Sequence, residues 1–186
     1  ELGDEIDLLI AGADCSAAAE HAARVTGVKR VLKVDDPSLA DSLAENLSPL
    51  IAKLAGEYTH VLVPASTYGK NIMPRAAALI DVQQISDISG IEGEDTFVRP
   101  IYAGNAMATV RSKDAIKMIS VRTTAFESAT EEGEATIEEI AGAKETGLSK
   151  IAGAELTRSE RPELTTADII ISGGRGMQSG DNFAML

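Results

Sequence analysis

Apolar and polar residues alternate along the first 80 residues in a way that predicts strands followed by helices. Short apolar runs typical of buried strands lie over Ile6–Gly12, 29–34 and His60–Pro64. Helical spacing of apolar residues follows these runs, over 17–24, 39–54 and 73–80. This order of elements predicts right-handed crossovers and a mostly parallel sheet with helices on both faces. The fold class is therefore α/β.

Capping residues and prolines set the expected helix boundaries. Ser16 is a suitable N-cap for the first helix, and Asp36 followed by Pro37 is typical of an N-cap and the first helical residue. Pro49 falls within a series of leucines at helical spacing, where a proline removes a backbone hydrogen bond. We therefore expect the helix to break there, with Ser48 capping a second short helix.

The pattern changes after Asp81. Short β-like runs at 85–91, 97–102, 106–111 and 118–122 predict an antiparallel extension of the parallel core. The segment 127–145, which is rich in acidic residues, is expected to be a solvated loop or weak helix, and 148–156 an edge strand. Residues 161–164 are expected to form a connector, because Pro162 disfavours helix before it.

The last residues predict the start of a further domain. A new apolar strand at 168–171 leads into Ser172-Gly173-Gly174-Arg175-Gly176, and a helix is expected to begin near Ser179. We therefore expect residues 1–166 to form an N-terminal α/β domain, and 167–186 to begin a truncated C-terminal domain.

Composition and charge exclude several classes of function. The 186 residues carry 17 Lys+Arg against 29 Asp+Glu, a net charge of −12, so we expect no nucleic-acid partner. No apolar run is long enough to span a membrane, so no direct membrane insertion is expected. Two histidines and the single Cys15 offer no metal-ligand pair, and one cysteine is typical of a reducing compartment.

Two loops carry candidate chemistry. The first loop contains Gly174, Arg175 and Gly176. Its glycines let an anion approach the backbone, and its arginine is a permanently charged planar donor. The alternative interpretation, a glycine-rich turn with a surface arginine, remains open. In the second, residues 66–71 follow a predicted parallel strand, where α/β sheets place their ligands. Ser66, Thr67, Lys70 and Asn71 there could meet a phosphate, or simply cap the helix and tighten the turn.

Several strings, taken together and in order, resemble the α subunit of the electron-transferring flavoprotein. They are Pro-Ala-Ser-Thr-Tyr-Gly-Lys-Asn-Ile-Met-Pro-Arg at 64–75, Ser-Asp-Ile at 86–88, Thr-Phe-Val-Arg-Pro-Ile-Tyr-Ala-Gly-Asn-Ala at 96–106, Val-Arg-Thr-Thr-Ala-Phe at 121–126, Ser-Glu-Arg-Pro-Glu-Leu-Thr at 159–165 and Ser-Gly-Gly-Arg-Gly at 172–176. Each string alone is modest, but their shared order over almost the whole chain makes the resemblance specific.

This resemblance implies a fold and a function. The family's N-terminal domain is a three-layer α/β/α sandwich, and here its first strand-helix unit is expected to be missing. The subunit pairs with a β subunit and holds FAD, mostly in a C-terminal domain that this sequence lacks. The family accepts electrons from acyl-CoA and related dehydrogenases of fatty acid β-oxidation and passes them to a membrane quinone oxidoreductase. It is a redox carrier, not an enzyme, in the bacterial cytoplasm or the mitochondrial matrix.

The resemblance also assigns site residues. In the family the arginine of the Ser-Gly-Gly-Arg-Gly segment lies by the flavin ring, which implies that role for Arg175, with Gly174 and Gly176 as its loop neighbours. Thr96–Ala106 is our expected contact segment for the partner subunit, since it is Gly-containing and places Tyr102 and Asn105 near a turn.

Two other functions stay open from the residues alone. A stand-alone nucleotide-binding regulatory domain would use residues 66–71 for phosphate. A nicotinamide oxidoreductase is disfavoured, because no Gly-x-Gly-x-x-Gly opens a helix after the first strand.

Overall fold

A computed structural model describes residues 2–3, 5–141, 144–155, 164 and 169–185, and its contacts divide the chain into two compact units, Glu1–Lys150 and Ile151–Leu186. The strands of the first unit are β1 (Ile6–Gly12), β2 (Val28–Asp35), β3 (His60–Pro64), β4 (Gln84–Ile88), β5 (Gly90–Gly93), β6 (Thr96–Ile101), β7 (Ala106–Arg111), β8 (Lys117–Val121) and β9 (Thr136–Glu139). Its α-helices are α1 (Ser16–Ala22), α2 (Ala44–Ala55) and α3 (Thr67–Leu79). The predicted boundary between 166 and 167 lies outside the described residues.

Within the described part of the chain, the strands form three sheets of three strands. Two are parallel, with the orders β1-β2-β9 and β3-β8-β4, and the third is antiparallel, with the order β5-β6-β7. In the first parallel sheet Leu9 lies opposite Leu32, and in the second Leu62 lies opposite Ile119. Parallel strands joined through helices, together with an antiparallel sheet, confirm the predicted α/β class.

Alternation along the strands separates two packing faces. In β1, Leu9 and Ala11 pack into the core formed with α2 and α3, whereas Leu8 and Ile10 pack with Ala19 of α1. In β8, Met118 lies in the α2–α3 core, and the neighbouring Ile119 contacts the antiparallel sheet. The parallel strands therefore have α2 and α3 on one face, with α1 and the antiparallel sheet covering the other.

The predicted helix break at Pro49 is wrong. Helix α2 runs without interruption from Ala44 to Ala55, with Pro49 inside it. Ser48 is fully buried and caps nothing, because its Oγ donates a 3.0 Å hydrogen bond to the carbonyl oxygen of Ile72 in α3. A proline removes one backbone hydrogen bond from a helix. In α2 this loss is offset by burial of its leucines in the core and by the bond from Ser48 to α3. The Asp36 cap is confirmed, since its Oδ1 accepts from Ser38 N at 2.8 Å, but it begins only the short 3₁₀ turn Pro37–Leu39.

Two predicted antiparallel runs belong elsewhere. Residues 118–122 largely form β8, which is the central strand of a parallel sheet, and 85–91 divides into β4 and β5. Pairing of β5, β6 and β7 confirms an antiparallel extension of smaller size. The prediction failed at β8 because periodicity identifies a buried strand but not its neighbours.

The acidic segment 127–145 contains β9, which sequence analysis expected to be a loop or weak helix. It pairs in parallel with β2, although all four residues are exposed. Two cations of β2 stabilise it, since Lys33 Nζ lies 2.6 Å from Glu139 and Arg30 Nη1 lies 3.0 Å from Glu138. Charge pairing across the ladder therefore forms a strand that the sequence of Thr136–Glu139 alone does not indicate.

The remaining predictions concern the end of the chain. The edge strand expected at 148–156 is wrong for 148–155, which carry no strand, and residue 156 lies outside the described residues. Residues 161–163 of the expected connector and 168 of the last strand also lie outside them. Residues 169–171 are exposed and form no strand, and the helix expected near Ser179 is instead the 3₁₀ segment Gly180–Met185.

A polar network joins β1, β2 and the turn before β3. Asp7 Oδ2 accepts hydrogen bonds from Arg30 Nη2 at 2.6 Å and from the Tyr58 hydroxyl at 2.7 Å, and the Asp7 side chain is 10% exposed. The bond from Arg30 lowers the pKa of Asp7, against the opposing effect of burial. Burial and the bond to Asp7 raise the pKa of Tyr58 to about 12. Asp7 is therefore ionised and Tyr58 is protonated at neutral pH.

None of the described helices has the length and apolar character that crossing a membrane requires.

Candidate functional site

The Gly174–Gly176 loop forms a compact 3₁₀ turn in the second unit. Gly174 is extended and precedes the turn Arg175–Met177. Met177 N donates to the Gly174 carbonyl at 3.0 Å, and Gln178 N donates to the Arg175 carbonyl at 3.1 Å. The backbone bonds hold the three predicted residues, Gly174, Arg175 and Gly176, together in one turn.

The glycines around Arg175 differ in what surrounds them. A side chain at Gly173 would meet Met177 Cγ at 2.6 Å and Phe183 Cζ at 2.7 Å, so packing within the unit requires glycine there. At Gly174 and Gly176 no other atom of the described chain lies within 4 Å of where a Cβ would be. The Arg175 side chain is exposed, and among the described residues it takes part in no ion pair. A planar cation therefore stands beside open space, which fits an aromatic or anionic ligand.

The second predicted cluster, residues 66–71, starts helix α3. Ser66 Oγ accepts a 3.1 Å hydrogen bond from Gly69 N, and the helix begins at Thr67, six residues before the predicted start at 73. A Cβ on Gly69 would lie 1.9 Å from the carbonyl oxygen of Pro64, so only glycine lets the first turn approach the end of β3 so closely. The geometry supports the capping interpretation over phosphate binding, because the Ser66 hydroxyl and the Gly69 N–H are bonded to each other.

Sequence analysis missed an ion pair at the carboxyl ends of β4 and β8. Asp87 accepts hydrogen bonds from Arg122 Nη2 at 2.5 Å and from Arg122 Nε at 3.3 Å, while its own N–H donates to Ser120 Oγ at 2.9 Å. Its backbone has a φ of 57°, the left-handed conformation that aspartate tolerates better than most residues.

Electrostatics fixes this pair in its charged form. The bond from Arg122 lowers the pKa of Asp87 against a smaller effect of burial, and the charges of Lys70 and Arg99 add to the lowering. The same bond raises the pKa of Arg122. Neither group is therefore suited to proton transfer near neutral pH. The available signal was an acidic residue within the run 85–91 and a basic residue at the end of the run 118–122. Only the sheet order shows that β4 and β8 are neighbours.

The β6–β7 hairpin carries the expected partner-contact segment. Its turn places Tyr102, Ala103 and Gly104 at positive φ, and the Tyr102 side chain is 79% exposed. Met107, one residue beyond the segment, is also exposed. Exposed aromatic and methionine side chains are enriched at the centres of protein interfaces.

Within the described residues no group of three acidic, histidine or cysteine side chains is placed to hold a metal ion.

Comparison with known proteins relates the chain to one family. The family model of the electron transfer flavoprotein domain matches residues 1–145. The electron transfer flavoprotein subunit alpha of Pseudomonas aeruginosa is 54% identical over 186 residues, with 100% of this chain and 60% of that protein covered. The subunit of the same name from Paracoccus denitrificans is 49% identical over 185 residues, with 100% of this chain and 60% of the relative covered.

A eukaryotic relative shows the same similarity. The mitochondrial electron transfer flavoprotein subunit alpha of Dictyostelium discoideum is 46% identical over 199 residues, with 97% of this chain and 56% of that protein covered. The chain thus spans about 60% of the length of these curated relatives.

Proposed function

Because the chain belongs to the electron transfer flavoprotein domain family, we propose that it is part of the α subunit of a heterodimeric electron carrier that holds FAD. The observation that carries this proposal is the identity of about half of all residues to subunits of that name along the whole chain. The carrier has no substrate of its own. It takes up electrons from one protein and delivers them to another.

We propose three classes of protein partner. A β subunit completes the heterodimer, acyl-CoA and related dehydrogenases of fatty acid β-oxidation supply electrons, and a membrane quinone oxidoreductase accepts them. The chain would work in the cytoplasm of a bacterium, or in the mitochondrial matrix if its source is eukaryotic. Relatives of both kinds, bacterial and mitochondrial, support either location.

The first unit would serve as scaffold and partner contact. Its parallel strands pack against the helices α1, α2 and α3, and its described polar clusters at Asp7 and Asp87 are ion pairs. The exposed Tyr102 and Met107 of the β6–β7 hairpin offer apolar surface to a β subunit. We propose that Thr96–Ala106 lies in that interface.

The second unit would contribute Arg175 to the flavin. We propose that residues 167–186 begin the FAD-binding domain, and that most contacts to the cofactor come from parts of the relatives' length that this chain does not match. The exposed guanidinium and the open space at Gly174 and Gly176 support this placement. When bound, FAD supplies the capacity to accept and release electrons. Arg175 would place a permanent positive charge beside its ring, which favours negative charge there.

Potentiometry of the full-length protein in complex with its β subunit tests this role. A charge-assisted contact in a site shielded from water is worth on the order of 1–3 kcal/mol. For a two-electron couple that corresponds to a midpoint potential lower by about 20–65 mV in Arg175→Ala. Arg175→Lys should recover part of the loss, because a point charge lacks the planar fork.

A matched variant controls for general charge effects. Arg24 is an exposed arginine of the first unit, and Arg24→Ala should leave the midpoint potential as in the unaltered protein. Equal potentials for the unaltered and Arg175→Ala complexes, with FAD fully bound in both, would remove Arg175 from the flavin site.

A further inference from the structure

An open cavity with apolar and polar lining lies between β4 and the β6–β7 hairpin of the first unit. Its volume is about 310 Å³. The lining comes from three places in the chain: the start of β4, strands β6 and β7, and the loop after β7. The lining residues that bear on its chemistry are Gln83, Arg99, Arg111, Ser112, Lys113 and Asp114.

Arg99 occupies an unusual position in this cavity. It lies two residues after Phe97 on β6, so its side chain leaves the same face of the strand as that fully buried ring. Its Nε is buried and has no hydrogen-bond partner within the part of the chain that the structure describes. Because this Nε is closed to solvent, an anion in the cavity would have to bind the terminal N–H groups of the guanidinium, which carry the same permanent charge.

The nearest carboxylates do not satisfy Arg99. Asp87 is close enough for the charge of Arg99 to lower its pKa, but its oxygens already accept two bonds from Arg122. Asp114 lines the cavity, and its Oδ2 accepts a 2.9 Å bond from Gln83 N. Neither carboxylate bonds to Arg99.

The cavity also has an excess of positive charge. Arg111 Nε is paired with Asp95 at 2.6 Å, whereas Lys113 is exposed and joins no ion pair among the described residues. Arg99 and Lys113 therefore outnumber Asp114, in a chain whose net charge is −12. Two cations that line one cavity without an ion-pair partner are suited to a multiply charged anion.

We propose that this cavity binds a small phosphate-bearing anion, with the guanidinium of Arg99 as its principal donor. Arginine presents planar donors that match phosphate oxygens, and Lys113 supplies a second charge from the rim. The Ser112 hydroxyl accepts from Asp114 N at 3.2 Å and keeps its own proton to donate. A volume of about 310 Å³ falls at the lower end of the range for small-ligand pockets, which suits a phosphate on a small organic group.

Calorimetric titration of the 186-residue chain with inorganic phosphate, at constant ionic strength, tests the site. We expect saturable binding at one site, with acetate binding more weakly because it carries a single charge. Arg99→Gln should weaken phosphate binding about tenfold, the effect of losing one charge-assisted hydrogen bond. Arg24→Gln, a change at an exposed arginine outside the cavity, should bind phosphate as the unaltered protein does.

A second variant keeps the test valid if Arg99→Gln does not fold. Lys113 is exposed, so Lys113→Gln should fold and weaken binding about threefold through the loss of one rim charge. Non-saturable heats, acetate binding equal to that of phosphate, or equal affinities in the unaltered, Arg99→Gln and Lys113→Gln proteins would each overturn the proposal.

Discussion

The network around Asp7 offers a direct test of what holds the first parallel sheet. Asp7→Asn keeps the size of the side chain but removes the negative charge that faces Arg30. The same carboxylate accepts the hydrogen bond from the Tyr58 hydroxyl. A hydrogen bond to a charged group contributes about 1.5–3 kcal/mol. Arg30 is 39% exposed, and it keeps a 3.0 Å contact with Glu138, so solvent and a second partner reduce the loss. We expect a decrease of about 2 kcal/mol in the free energy of unfolding.

The pH dependence of this difference has a defined sign. The folded pKa of Asp7 is lowered from 3.8, so its charge stabilises the folded state above the unfolded pKa. That contribution is lost as the pH falls through the folded pKa. The difference between the unaltered protein and Asp7→Asn should therefore be constant between about pH 5 and 8, and shrink below about pH 4.

Urea unfolding followed by circular dichroism, repeated across this pH range, measures the difference. At this chain length a loss of about 2 kcal/mol also lowers Tm by about 4–8 °C. Glu5→Gln is the matched control, because Glu5 is 72% exposed in its pair with Lys29 and should cost less than about 0.5 kcal/mol. An Asp7→Asn effect as small as the control at pH 7, or one that grows as the pH falls, would show that the Asp7 charge does not stabilise this sheet.

Three further predictions follow from the contacts described above. Gly69→Ala should lower the free energy of unfolding by about 3 kcal/mol, because its Cβ would meet the Pro64 carbonyl. The control is Gly56→Ala, since Gly56 follows α2 and has a helical φ of −63°. It should be nearly neutral in the same unfolding assay. The 186-residue chain alone should show no stoichiometric binding in a micromolar titration with FAD, and such binding would contradict our assignment of most flavin contacts to other parts of the subunit. Hydrogen exchange over Thr96–Ala106 should slow when the β subunit is added, and unchanged exchange would remove this segment from the interface.

Periodicity predicted the three strands of the first 80 residues well, because they are short, largely apolar and bounded by turn residues. Ile6–Gly12 and His60–Pro64 have the predicted bounds, since each is a largely apolar run that ends at a glycine or a proline. Helix α2 could not be predicted across Pro49, because its continuity depends on packing against α3 and on the bond from Ser48 to Ile72. Local propensity contains no information about that partner.

Elements that depend on distant pairing could not be predicted either. Strand β9 forms beside cations of β2 that lie more than a hundred residues away in the chain, and its own sequence is half acidic. The Asp87–Arg122 pair and the cavity at Arg99 likewise need the order of strands within and between sheets. For Arg175 the sequence shows glycines that flank a cation without any tertiary contact, and its place beside the flavin stays a prediction.

The absorption spectrum of the full-length protein, purified together with its β subunit, tests most directly whether the chain is part of an electron carrier that holds FAD. We expect the visible bands of bound flavin, with one FAD per heterodimer by extraction and quantification. A stable, stoichiometric heterodimer that is colourless and stays so after incubation with FAD would contradict it.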